Sequence, residues 1–322
     1  MTSAASERSQ ENPDGPRAYA APAKVNLCLR ILGRRPDGYH LLDSLVVFAG
    51  VGDTLFVEPS PRLSLDLRGP FGSELSSGSD NLVLRAAHLL KEAVGHGAGA
   101  ALVLEKHLPI AAGLGGGSSD AAATLLALDR LWRSQLGEEG LQGFAAALGA
   151  DVPVCLHGRP SRVSGFGERL ASAPAMPPLW VVLVNPGVAL ATSTVFQARQ
   201  GAFSPHLDWP ERFAGTEDLR TWLEDAGNDL EAPARTLRPE IDDVLTALAA
   251  TPNCLIARMS GSGATCFGLY GDAASSRKAA QSIAERHPAW WVRAAPSWKG
   301  RSAMASTSPK GNRSVAAREG NR

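Results

Sequence analysis

The residues best suited to chemistry lie in Pro109-Ile110-Ala111-Ala112-Gly113-Leu114-Gly115-Gly116-Gly117-Ser118-Ser119-Asp120-Ala121-Ala122-Ala123. Glycines at 113, 115, 116 and 117 exclude an ordinary helix or strand interior for the first part. Ser118, Ser119 or Asp120 can cap the helix that the alanine and leucine run through Leu128 predicts. A glycine loop feeding a helix N-terminus presents unpaired N–H groups and the positive end of the helix dipole, which suits phosphate. The glycines let backbone approach the anion without a Cβ in the way, and the serine hydroxyls add donors or a metal ligand. A flexible turn before a core helix is the bland alternative. Linkers do not usually run from glycines straight into serines and alanines, so phosphate binding is the better reading.

The common nucleotide loops fit poorly. A Walker A loop ends in Gly-Lys-Ser/Thr, whereas Gly117 is followed by Ser118. A Rossmann turn follows its strand directly, but Pro109 and further residues separate the glycines from Val103-Leu104-Glu105-Lys106. Other candidate groups are weaker on local grounds. Lys24 and Asn26 share one face of a strand by alternation, and a lone strand lysine is ordinarily a solvated one. Pro36-Asp37-Gly38 is a turn that delivers Tyr39 and His40 to the next strand, as either a functional pair or hairpin-end packing. Asp151 stands between a helix end and an apolar run containing Pro153, where spacing alone favours a cap or turn. His206 reads as surface.

These groups need a scaffold. The spacing predicts strands over 19–32, 41–47, 54–58, 63–67 and 101–106, and helices from Asp80-Asn81, through the alanine run, and over 138–148. Gly165-Phe166-Gly167-Glu168 reads as a turn near a domain junction. Strands at 180–184, 256–260 and 290–293 then alternate with helices at 192–199, after Asn228, at 239–250 and at 273–286, and Gly261-Ser262-Gly263 is a tight turn between strands. The pattern is α+β, with domains expected at 18–170 and 171–297 and disordered polar tails at 1–17 and 298–322. Lys+Arg and Asp+Glu both number 32 among 322 residues, so charge points to neither nucleic acid nor an acidic membrane. Cys28, Cys155, Cys254 and Cys266 are scattered, as in buried thiols of a reducing cytoplasm. No apolar run is long enough for a membrane span or forms a signal-peptide core, and a cytoplasmic protein is expected.

Three segments, in order, resemble the motifs of the GHMP kinases (galactokinase, homoserine, mevalonate and phosphomevalonate kinases). Pro22-Ala23-Lys24-Val25-Asn26-Leu27 is similar to the first, Pro109 through Ala123 to the second, and Gly261-Ser262-Gly263-Ala264 to the third. The resemblance covers about residues 18–297. It implies a two-domain GHMP kinase fold, with an N-terminal domain like ribosomal protein S5 domain 2 and a ferredoxin-like C-terminal domain. It also implies ATP as co-substrate, Mg2+, and a monomer or homodimer.

Asp37-Gly38-Tyr39-His40, Leu148-Gly149-Ala150-Asp151-Val152-Pro153 and Met259-Ser260-Gly261-Ser262-Gly263 resemble the branch that phosphorylates a cytidine diphosphate-linked methylerythritol on the non-mevalonate route to isoprenoid precursors. By that resemblance Asp151 would take the proton of the substrate hydroxyl, and Lys24 would keep Asp151 ionised and stabilise developing charge. Asn26, Tyr39 and His40 would read the substrate, Phe196 would stack on the cytosine with Thr192 near by, and Gly261, Ser262 and Gly263 would reach the substrate phosphates. Pro109, Ile110, Ala111, Ala112, Gly113, Leu114, Gly115, Gly116, Gly117, Ser118 and Ser119 would wrap the ATP phosphates, with Asn81, Lys106 and Ile110 near adenine. Ser118 or Ser119 would serve the metal. Asp120 replaces the usual Asn and either points away from the triphosphate or touches Mg2+. Cys155 replaces a bulkier apolar residue. Another small-molecule kinase of the family (mevalonate or homoserine type) and a non-catalytic ligand sensor of the same fold are the alternatives. Retention of both Lys24 and Asp151 argues against the sensor.

Overall fold

A computed structural model describes residues 17–300 except 96, 98 and 299. The expected tails lie outside the described residues, save for Arg17, Trp298 and Gly300 at their inner ends. Trp298 belongs to the folded part: its N–H donates to Phe48 O at 2.7 Å and its ring packs on the core.

Two long antiparallel strands, β1 (Arg17–Arg34) and β2 (His40–Pro59), form the backbone of the molecule. The two strands expected at 41–47 and 54–58 are one. Gly50 and Gly52 look like breakers, but Gly52 stays extended because β1 crosses so closely that a Cβ there would meet Ala21 O at 2.2 Å. Around β2 the first sheet adds β3 (Ser64–Arg68), β4 (Ala100–Glu105), β5 (Ser161–Gly165) and β6 (Arg169–Ser172), in the order β3-β4-β2-β5-β6 with β1 paired to β2. The β5–β6 hairpin accounts for the turn at 165–168, so that turn lies within the first sheet.

Four helices accompany this sheet: α1 (Leu82–Val94), α2 (Gly116–Leu131), α3 (Gly137–Leu148) and α4 (Val152–His157). Helix α2 is central and buries every residue from Ser119 to Leu128 except Leu126. Its alanines permit close approach to Phe48, Leu55, Leu102 and Leu104. None of Ser118, Ser119 and Asp120 is its cap. The helix starts earlier, at Gly116, after Gly115 in the left-handed conformation at φ +60°.

The second sheet is antiparallel, with β7 (Trp180–Asn185), β8 (Ile256–Met259), β9 (Cys266–Tyr270) and β10 (Trp291–Pro296) in the order β10-β7-β9-β8. The first of these strands lies between the last and the third, which is the ferredoxin-like order. Helices α5 (Thr192–Ala198), α6 (Thr216–Ala226), α7 (Glu231–Leu237), α8 (Glu240–Ala249) and α9 (Ala273–Arg286) connect and cover them. Strand β7 is apolar on both sides for a reason. Val181 and Leu183 pack with Ala23, Val25 and Leu27 of β1, while Val182 and Val184 pack with Ile241, Val244 and Ile283 of the helices. The α+β architecture expected from the sequence is therefore present, with β1 packed against the second sheet. Of the cysteines, Cys28, Cys155 and Cys266 are buried, and burial pushes the Cys28 thiol up to about 12. Among the described residues no helix is long and apolar enough to cross a membrane.

Candidate active site

The glycine loop is shaped by what it touches. Gly113 has φ +75°, and a Cβ there would stand 2.4 Å from Ser260 O and 2.8 Å from Gly263 O. Ser260 Oγ donates to Gly113 O at 3.0 Å, Thr265 N–H to Ala112 O at 3.2 Å, and Lys24 N–H to Leu114 O at 2.8 Å. All three glycine and lysine motifs are thus hydrogen-bonded to one another. Ala112 and Leu114 are buried and serve this docking, whereas Ala111, Gly113, Gly115, Gly116, Gly117 and Ser118 line a cleft of about 1220 Å³. The N–H groups at the start of α2 lack intrahelical partners, as in any helix start. Ser119 differs from its neighbour: it is buried, and its hydroxyl donates to Pro22 O at 2.7 Å.

On the same cleft, Lys24 of β1 and Asp151 meet, with Nζ 2.8 Å from Oδ2. Lys24 is 6% exposed along its side chain and Asp151 46%. Local spacing favours a capping role for Asp151. The residue does occupy the N-cap position of α4, yet its side chain makes no cap hydrogen bond. Its carboxylate is turned to the lysine instead. Asn26, one pleat along from Lys24, donates through Nδ2 to Ser44 Oγ at 2.8 Å, and its Oδ1 is buried without a partner among the described residues.

The far end of the cleft is aromatic. His40 stacks on Phe196 with ring centroids 4.9 Å apart, and Tyr39, 59% exposed, lies 5.5 Å from Phe166. Arg35 sits over Phe166 and Arg199 over Phe203. Burial, with Arg34 and Arg199 near by, lowers the His40 pKa and favours neutral imidazole. Thr192 and Ser262 share a hydrogen bond of 2.8 Å at the cleft wall, next to Gly261. Gly263 does not line the cleft; its N–H closes a turn on Ser260 O at 3.0 Å.

A second cavity of about 270 Å³ opens beside the loop, lined by Asn81, Pro109, Ile110, Gly116, Lys106 and Asp120 among others. Asn81 caps α1, its Oδ1 accepting from Val83 N–H at 2.9 Å. Lys106 Nζ holds Asp53 Oδ2 at 2.5 Å and Asp120 Oδ2 at 2.7 Å, with all three groups buried. Asp120 therefore points away from the main cleft. Burial raises its carboxyl above the usual carboxylate range against the pull of Lys106, while two carboxylates raise the Lys106 ammonium against its own desolvation. Sequence reasoning misses Asp53, Phe166, Arg199, Ser260 and Asn228, whose Nδ2 donates to Met259 O and Gly261 O at 2.9 Å. A charged residue inside an otherwise apolar strand pattern is the one signal that could have marked Asp53.

Family models cover both halves of this arrangement: the GHMP kinases N terminal domain matches residues 81–159 and the GHMP kinases C terminal matches 213–292. A 4-diphosphocytidyl-2-C-methyl-D-erythritol kinase of Paramagnetospirillum magneticum is 55% identical over 274 residues, covering 84% of this chain and 95% of that one. The chain belongs to the GHMP kinase family. A kinase of the same description from Parvibaculum lavamentivorans is 51% identical over 281 residues, covering 86% and 97% of the two chains. A crystal structure of 4-(cytidine 5'-diphospho)-2C-methyl-D-erythritol kinase superposes with TM-score 0.70 at 38% identity, covering 87% of this chain and 98% of that one. Homoserine kinase from Cytophaga hutchinsonii, at 18% identity and TM-score 0.66 over 90% and 96%, shares the fold. The two GHMP spans contain the phosphate loop, Asp151 and Gly261 to Gly263. Lys24, Tyr39, His40, Thr192 and Phe196 fall outside both.

Proposed function

We propose that the chain transfers the γ-phosphoryl group of ATP to the 2-hydroxyl of 4-diphosphocytidyl-2-C-methyl-D-erythritol, a step toward isoprenoid precursors. The observation that carries this reading is the Lys24–Asp151 pair, set at 2.8 Å in the cleft that also holds the phosphate loop and the aromatic wall. Phosphoryl transfer depends mainly on such positioning and on charge stabilisation. Asp151 Oδ accepts the hydroxyl proton, the freed oxygen bonds to the γ-phosphorus, and the bond from that phosphorus to the β-γ bridging oxygen breaks to release ADP. The Lys24 ammonium holds the carboxylate in position and offsets charge on the moving group. Asn26 lines the cleft beside Lys24, on the side where the acceptor hydroxyl must sit. Tyr39, His40 and Phe196 hold the cytosine, with neutral His40 able to donate to the base edge. Thr192, Gly261 and Ser262 face the diphosphate.

ATP lies with its phosphates along Ala111 to Ser118 and its base toward Asn81, Pro109 and Ile110 in the side cavity. Mg2+ bound with ATP would neutralise the β- and γ-phosphates, as in other kinases. The residues present fit such an ion loosely held by protein: the Ser119 hydroxyl is committed to Pro22 O and Asp120 to Lys106, which leaves Ser118 as the side chain to hold it. The ion would therefore be held chiefly by the nucleotide.

The test is a coupled ADP-release assay with the cytidyl substrate. Asp151→Asn should lower kcat by roughly 10²- to 10⁴-fold, the usual worth of a general base, with ATP affinity retained. A well-folded wild-type chain that turns over mevalonate or homoserine but not the cytidyl substrate would refute the acceptor assignment.

A further inference from the structure

One wall of the main cleft is built from a segment that holds itself up poorly. Thr192, Phe196, Arg199, Gly201 and Phe203 all line the cleft, and they lie on α5 and the irregular stretch that follows it. Helix α5 has seven residues, no side-chain cap and one buried residue, Val195. Isolated helices of that length are marginal at best, so its position depends on ties to the rest of the fold. Past the helix, Arg199 donates to Gly201 O and Ala202 O, which folds the stretch on itself. A tie to the rest of the molecule comes at Ser204. Its N–H donates to Ile31 O at 2.9 Å, and its hydroxyl lies 3.0 and 2.8 Å from Oδ1 and Oδ2 of Asp229. Asp229 Oδ2 also accepts the Ile31 N–H at 2.6 Å, and its own N–H donates to Leu29 O at 2.8 Å. Ile31 thus turns both of its backbone groups to this knot. One carboxylate joins β1, the stretch after α5, and the approach to α7.

We propose that Asp229 is a positioning residue for the phosphoryl acceptor: its carboxylate does not line the cleft, but it fixes the wall of Phe196, Arg199 and Phe203 against β1, the strand that carries Lys24. This rests on the reading above that the aromatic end of the cleft takes the cytidyl substrate. A carboxylate suits the task because it accepts from a backbone N–H and a hydroxyl together, and such charge-assisted bonds are about twice as strong as neutral ones. The phosphate loop is tied elsewhere, through Lys24 N–H, Ser260 Oγ and Thr265 N–H. Loosening the knot therefore acts on the acceptor and leaves the nucleotide alone.

Hydrogen exchange of the full chain without ligands, followed by mass spectrometry, reads the tie directly. Ser204→Ala removes a hydrogen bond to a charged group, and exchange across residues 192–204 should quicken roughly 10- to 100-fold, with that of α2 unchanged. In steady-state kinetics KM for the cytidyl substrate should rise roughly 2- to 12-fold, the cost of re-ordering one side chain at a binding site. KM for ATP should stay as it is. Asp229→Ala should exceed Ser204→Ala in both readouts. Asp229→Asn, whose amide can still accept from Ile31 N–H and donate to the Ser204 hydroxyl, should fall between Asp229→Ala and wild type. If Asp229→Ala does not fold, Ser204→Ala and Asp229→Asn decide the matter. Unchanged exchange across 192–204 in Ser204→Ala would overturn the proposal, and so would an equal rise of KM for both substrates. Quickened exchange in a chain that does not turn over the cytidyl substrate would sink only the acceptor assignment, whereas unchanged exchange with turnover intact would sink only this one.

Discussion

Replacing Lys106 by methionine keeps the unbranched stem of the side chain and removes only its ammonium group, so it isolates what the ammonium does beneath the glycine loop. Its side chain is 3% exposed, and those of Asp53 and Asp120 are 0% and 3% exposed, so solvent screens none of the three. The substitution deletes two charge-assisted hydrogen bonds, each worth about 1.5–3 kcal/mol. It also leaves two carboxylates facing one another in a dry site. Asp53 keeps two backbone donors, whereas the carboxyl of Asp120, already raised by burial, relieves the strain by taking a proton, which limits the loss. Breaking a buried pair by removing one partner costs about 3–5 kcal/mol, and about 4 kcal/mol is expected here. Against a total stability of about 5–15 kcal/mol that is a large share. With a urea m-value near 3 kcal/mol/M, the unfolding midpoint should fall by about 1.3 M. Adding Asp120→Asn to Lys106→Met removes the cost of protonating that carboxyl and should restore about 2 kcal/mol, a coupling that a double-mutant cycle reads directly. A midpoint shift below about 0.3 M for the single variant, or strict additivity in the cycle, would refute this account of the cluster.

The two kinds of glycine in the loop should respond oppositely. Gly113→Ala forces a Cβ against Ser260 O and requires φ +75° of alanine, so turnover and melting temperature should both fall, whereas Gly117→Ala meets only Leu82 Cδ1 at 3.4 Å on a helical backbone and should fold with stability within about 1 kcal/mol of wild type. If Phe196 stacks on the cytosine as proposed, Phe196→Ala should raise KM for the cytidyl substrate roughly 2- to 12-fold, from about 0.5–1.5 kcal/mol of aromatic contact. In steady-state kinetics, KM for ATP should stay unchanged, and an equal rise for both substrates would count against a cytosine contact at Phe196.

Much of this was readable from residue types because local signals and tertiary structure agree. Helix α9 runs over the span its pattern predicts, since Asp272 caps it through the N–H groups of Ala274 and Ser275 and its apolar residues recur on one side. The glycine loop, too, looks unusual because it is: Gly113 and Gly115 hold conformations and contacts that other residues meet only with strain. Helix α6 shows the opposite case. Leu219, Trp222, Leu223 and Ala226 recur there at helical spacing, but its N-cap is Gly215, with no side-chain cap, so the start of the helix blends into the glycine-bounded loop before it. Asp151 was ambiguous for a different reason. A carboxylate ahead of a proline-containing turn fits a cap, and only its long-range partner, Lys24, says that it is engaged elsewhere. Ser260 carries no local signal either, yet one hydroxyl there accepts from Asn26 N–H at 3.2 Å and donates to Gly113 O at 3.0 Å.

The β1–β2 ribbon bears on how the site works. Along β1, Ala21 belongs to the core beneath α2, Ala23, Val25, Leu27 and Cys28 to the apolar layer between the sheets, and Leu29 and Ile31 to the core of the second sheet. A strand common to all three cores leaves no hinge line across which the halves can swing apart. Lys24 on that strand and Asp151 at the start of α4, whose Val152 and Val154 pack in the same core as Ala21, are held 2.8 Å apart by this shared packing. Excluding water from the transferring phosphoryl group then falls to side chains at the mouth, where Tyr39 and Phe203 stand 59% and 49% exposed.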